Sequence, residues 1–160
     1  MRMKTIDVEL TGTGRGLLMH NIEGADLDQT TRKTLKTYDP KEEAEKSVYR
    51  IPGKKELCVP DRCIFGMLST AASYFKIKGR SVKPIIGGAV RVEPEFPGLG
   101  VTDYEIDRRS VVIQRNRVMR SRPRLSKWKL KFKLLYNDEY IPEPNFLKNI
   151  LEEAGVKVGL

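Results

Sequence analysis

The chain has 160 residues, 39% apolar and 32% charged, with 30 Lys and Arg against 21 Asp and Glu. That length fits one domain around one modest core, and a formal charge of +9 points to a polyanionic partner, nucleic acid or an anionic membrane surface. No apolar run approaches the ~20 residues of a spanning helix, and Asp7 and Glu9 argue against a signal peptide, so the expectation is a soluble, cytoplasmic protein without a membrane partner.

Residues 4–11 alternate apolar and polar, which predicts a first strand with Ile6, Val8 and Leu10 facing inward. Gly12-Thr13-Gly14-Arg15-Gly16 follows. It lacks both the Gly-Lys-Ser/Thr ending of a P-loop and the spacing of the dinucleotide fingerprint, so it reads as a turn or bulge. Residues 21–39 are polar with weak periodicity and read as a surface loop. Asp39-Pro40 opens a helix, with Asp39 as cap and acids in the first turn. A small hairpin is predicted around Pro52-Gly53. A second helix runs from about Asp61 to about Phe75, with Ile64, Met67, Leu68, Ala71, Ala72 and Phe75 on its apolar stripe. Residues 81–95 read as strand-like segments broken by Gly87-Gly88, and 93–100 as a loop. A last helix starts near Pro142 or Pro144 and is ended by Gly155. This order gives an α+β chain: an antiparallel sheet with helices packed on one face.

The charge is concentrated. Between Arg108 and Lys133 there are 11 Lys or Arg and no acid, which leaves 19 bases against 21 acids elsewhere. Val111–Gln114 reads as a short strand. Arg115, Arg117, Arg120, Arg122 and Arg124 follow, around Pro123, which is expected to mark the bend between two strands because proline cannot donate to a ladder. Residues 126–134 alternate strictly. Trp128, Leu130, Phe132 and Leu134 are expected to point into a core, and Lys127, Lys129, Lys131 and Lys133 to face the other way. Arginine suits bidentate contacts to phosphate. The candidate nucleic-acid-binding residues are therefore Arg108, Arg109, Arg115, Arg117, Arg120, Arg122, Arg124, Lys127, Lys129 and Lys131. A lysine face that only keeps a sheet edge from aggregating leaves the five nearby arginines unexplained.

Other chemistry finds little support. Cys58 and Cys63 are five apart with no histidine near, unlike a zinc site, and read as free thiols. His20, the single histidine, has no nucleophile to serve and reads as a strand-end residue. Asp26 and Asp28 lie in a polar loop. No catalytic residue, metal or cofactor is assigned.

Three stretches resemble the RAMP superfamily (repeat-associated mysterious proteins), and within it the backbone subunits of CRISPR effector complexes of antiviral defence. They are Val8–Gly12 leading to Gly16–Asn21; Val59–Ala72, similar to a proline-led strand feeding a helix with small residues; and Ile150–Leu160, similar to a helix that leads into the family's glycine-rich loop. The chain stops at Gly159-Leu160, where that loop would continue. The resemblance implies a modified RRM-like (ferredoxin-like) fold in one domain over 1–160, with a polar insertion near 21–48. It also implies binding of single-stranded RNA and copies stacked in a ribonucleoprotein filament or multi-subunit ribonucleoprotein. In some relatives a loop aspartate cleaves RNA, and Asp26 or Asp28 is the nearest match in position. The expected function is thus RNA binding by basic strands. The rivals are a single-stranded DNA-binding or annealing protein of a mobile element, a metal-dependent ribonuclease, and an assembly protein with an acidic protein partner.

Overall fold

The computed structural model describes residues 2–22 and 39–160. Its elements are β1 (Met3–Thr11), β2 (Leu17–Leu18), α1 (Pro40–Lys46), α2 (Asp61–Ala72), β3 (Lys76–Ile77), β4 (Arg80–Ser81), α3 (Lys83–Ala89), β5 (Val90–Glu93), β6 (Glu105–Ile113), β7 (Asn116–Leu125), β8 (Lys129–Asn137) and α4 (Pro144–Lys157). The chain is mixed α+β with antiparallel pairing, and it divides into two compact units. Unit 1 holds residues 1–10, 58–99 and 130–160; unit 2 holds 11–57 and 100–129. No helix among the described residues is long and apolar enough to cross a membrane.

Unit 1 is built on a sheet of order β1-β8-β5. The period-two pattern of β8 holds. Leu130, Phe132, Leu134 and Tyr136 are buried, while Lys129, Lys131 and Lys133 are exposed. As the middle strand, β8 is covered on both flanks. Ile6, Val8 and Leu10 of the edge strand β1 are only half-buried. In β5, Val90 and Val92 face inward and pair opposite Tyr136 and Leu134. The apolar stripe of α2 is buried as the spacing predicts from Ile64 to Ala72, but the helix ends at Ala72 and Phe75 lies beyond it, half-buried. Helix α2 packs against α4, whose Leu147, Ile150 and Ala154 are buried. Phe75 meets Phe146 edge to face at 5.8 Å between ring centroids, a favoured aromatic geometry. The order β1, α2, β5, β8, α4, with β1 beside β8 and β8 beside β5, is consistent with a ferredoxin-like arrangement.

Two expectations in unit 1 need correction. Residues 83–89 form α3, not strand, despite Gly87-Gly88. Pro84 suits a first turn, and burying Ile86 and Ala89 against α2 outweighs the poor helix propensity of two glycines. The last helix also passes through Gly155. It ends two residues after it, and the N–H groups of Val158 and Gly159 both return to Ala154 O, at 2.9 and 2.8 Å.

Unit 2 is built on a sheet of order β2-β7-β6, with α1 packed on β7. Proline 123 does not mark a bend. It lies inside β7 opposite Ile106, and the turn between the basic strands is Gln114-Arg115, both with positive φ (48° and 69°). The proline is tolerated because of where its backbone points. Pro123 O accepts from Met19 N–H at 3.0 Å, so the residue faces the β2 side and β6 needs no donor from it. Pairing of β2 covers Leu125 and Arg124. Beyond it, the carboxylate of Glu43 on α1 accepts from Ser121 N–H at 3.1 Å. A helix side chain thus satisfies a strand edge that β2 is too short to reach. Residues 126–128 are not strand, which moves Trp128 out of the expected core row. It is half-buried and packs on the backbone of Gly12, where a Cβ would come within 2.3 Å of the indole Nε1. Gly16, at φ +76°, lies over Leu125 O, which a Cβ there would approach to 2.6 Å, so the glycine run is a turn laid flat on the end of β7 and the residues after it.

Candidate nucleic-acid interface

Seven of the ten predicted binding residues lie on one antiparallel hairpin, β6–β7. Its register runs from Glu105 opposite Arg124 to Ile113 opposite Asn116. Directly opposed residues share a face, so the register sorts the arginines into two sets.

The first face carries Asp107, Arg109, Arg120, Arg122 and Arg124. Its charges are largely answered. Arg109 Nε donates to Asp107 Oδ1 at 3.0 Å, with a second nitrogen 2.7 Å from Oδ2. That hydrogen bond, followed by the nearby positive charge of Arg109, Arg124 and Arg122, holds the Asp107 carboxyl below the usual range. Arg120 donates to Glu43 Oε1 at 3.0 Å. Arg124 donates to Arg15 O at 3.4 Å. Arg122 sits opposite Asp107, and its charge adds to the effect of burial in lowering the pKa of His20.

The second face carries Arg108 and Arg117 beside Ile106, Val112 and Met119, all exposed. Arg115 stands in the turn. Among the described residues, Arg108, Arg115 and Arg117 make no ion pair. Lys127 is exposed in the connection between β7 and β8 and, among the described residues, also makes no ion pair.

The other two lysines belong elsewhere. Lys129 opens β8, exposed. Lys131 is in unit 1, 3.5 Å from Glu9. It lies in an open groove of about 1070 Å³ that also presents Asp7, Asp61, Glu93 and Glu95. The structure therefore gathers the arginines on one hairpin of unit 2, whereas Lys131 belongs to unit 1.

A second network braces α1. Glu45 takes both Arg50 Nε (2.9 Å) and a second Arg50 nitrogen (3.1 Å), and accepts from the Tyr104 hydroxyl. These bonds lower the Glu45 carboxyl, chiefly through Arg50, and burial followed by the Glu45 hydrogen bond pushes the Tyr104 phenol up to about 12. The same Arg50 donates to Thr102 O at 3.2 Å, and Glu56 accepts from Gly100 N–H at 3.0 Å. Tying α1 down in this way positions Glu43 on β7.

Sequence reasoning missed Glu43, Asp107 and Arg15. No local signal ties an acid on a seven-residue helix to an arginine 77 residues away. Asp26 and Asp28 lie outside the described residues. Among the described residues no three His, Cys, Asp or Glu are grouped to hold a metal ion. No protein-family model matches the chain, and no curated protein matches it in sequence.

Proposed function

We propose that unit 2 binds the phosphate backbone of single-stranded nucleic acid along the second face of the β6–β7 hairpin. One observation carries this reading. On a ribbon where Arg109, Arg120 and Arg124 meet a carboxylate or a backbone oxygen, Arg108, Arg115 and Arg117 are exposed and make no ion pair among the described residues. Guanidinium groups so placed are available for bidentate phosphate contacts. The exposed Val112 and Met119 beside them offer apolar surface to unstacked bases. RNA is the preferred polymer because of the resemblance to RAMP proteins, which also carries the proposal that copies assemble on one strand as a ribonucleoprotein.

Fluorescence anisotropy with a labelled single-stranded RNA, repeated over a salt series, tests this. The expected result is affinity that falls steeply with salt, with a log–log slope of about −0.7 for each phosphate neutralised. Changing Arg108, Arg115 and Arg117 together to Glu should cost about 100-fold in affinity and flatten the slope by about 2. Unchanged affinity in that variant sinks the reading. Arg120 is the wrong residue for this test, because reversing it also breaks the contact with Glu43. A DNA competitor of equal length separates RNA from single-stranded DNA binding, since only RNA offers a 2′-hydroxyl.

A further inference from the structure

We infer that Trp128, with Arg15 and Lys127, forms a nucleotide subsite on unit 2 in which the indole stacks one base and the two cations hold its phosphate. The inference rests on the proposed binding of a single strand and adds a base contact away from the hairpin's ribbon.

Its starting point is the glycine run that phosphate-loop patterns do not explain. The turn folds back on residues 124–128. Gly12 N–H donates to Trp128 O at 2.9 Å, Arg124 donates to Arg15 O at 3.4 Å, and Leu17 pairs with Leu125. These contacts bring Arg15, Arg124, Lys127 and Trp128 to one corner, although more than 100 residues separate the turn from the other three. Arg15 and Lys127 are exposed, and among the described residues neither makes an ion pair.

Trp128 lies between β7 and β8 and belongs to neither strand. The Nε1 side of the indole rests on Gly12, at a spacing only glycine allows, so the ring is held in place on a backbone surface. It remains partly open to solvent, with Lys127 and Lys129 as its sequence neighbours. Among the described residues neither the indole Nε1 nor Arg124 Nε, both beneath the turn, meets an acceptor. A braced aromatic ring in a cationic corner is what a single strand needs to seat a base, and such stacking tolerates any base because each has a π face.

Trp128 is the sole tryptophan, so intrinsic fluorescence reports on this position alone. The test titrates the protein with oligouridylate and with the same oligomer carrying abasic sites, following tryptophan emission and the anisotropy of a 3′ label together. Expected are quenching that saturates with the anisotropy change, and about tenfold weaker binding for the abasic oligomer. Trp128→Ala should lose about the same factor and no longer distinguish the two oligomers, whereas Trp128→Phe should stay within about threefold of wild type. Arg15→Glu with Lys127→Glu should weaken both oligomers equally. If oligouridylate binds wild-type protein without quenching and abasic sites cost nothing, the subsite is wrong while the hairpin reading stands. If neither oligomer binds, both are wrong.

Discussion

Unit 1 and unit 2 divide both charge and architecture between them. Unit 1 has 12 Lys and Arg against 10 Asp and Glu, and its cationic β8 faces carboxylates in an open groove. Unit 2 has 18 against 11, and among the described residues Arg108, Arg115 and Arg117 of its hairpin make no ion pair. In unit 1 the charged rows are the solvent side of a sheet whose other side is packed under helices. In unit 2 the hairpin is thin, with large apolar side chains exposed on it. A lysine-rich alternating strand is therefore compatible with an ordinary sheet surface. An arginine-rich ribbon that leaves charge and apolar area uncovered is the part to test for a partner.

The largest effect that would sharpen this contrast is on stability. Leu134, fully buried in the middle strand of unit 1, should cost about 3 kcal/mol or more on change to Ala, read by urea unfolding. The triple reversal of Arg108, Arg115 and Arg117 should leave the melting temperature almost unchanged while binding collapses. Next, Lys131→Glu with Lys133→Glu should change RNA affinity less than threefold. A loss equal to that of the hairpin variant would erase the distinction between the units. Smaller is the turn. Gln114 and Arg115 both hold left-handed backbone that side chains disfavour, so Gln114→Asn with Arg115→Gly should stabilise by about 1 kcal/mol in thermal melts. The same change should weaken RNA binding a few-fold through the lost guanidinium.

The smallest effect is a pH dependence from His20. Its folded pKa lies below 6.5, first because of burial and then because of Arg122. The unfolded chain therefore takes up the proton more readily. The stability His20 contributes is complete above about pH 6.5 and declines as pH falls through the lowered folded value. Melting temperatures between pH 7.5 and 5 should fall less in His20→Gln than in wild type.

Much of unit 1 is legible in the sequence, because burial there follows simple periods: two in β8, three to four in α2 and α4. The helix α3 is not, since a Pro-Ile-Ile-Gly-Gly stretch is helical only by virtue of what it packs against. In unit 2 the composition exposes the cationic segment but not its shape. Arg-x-Arg repeats have no apolar face to set a period, so β7 is invisible, and Pro123 reads as a break because the partner of each backbone edge is unknown. Pairing hides in the same way. Which arginines are answered depends on Glu43 and Asp107, whose roles come from register and tertiary contact.

The turn at Gln114-Arg115 has a consequence for how the hairpin tolerates length change. Because opposed residues share a face, deleting one residue from β6 near the turn would shift every partner beyond it by one place. Asp107 would then present its carboxylate on the wrong side of the ribbon, and Arg108 would rotate to where Arg109 had been. Such a frameshift in three dimensions keeps the composition of the segment almost intact, yet it should abolish the sidedness that a bound strand would read.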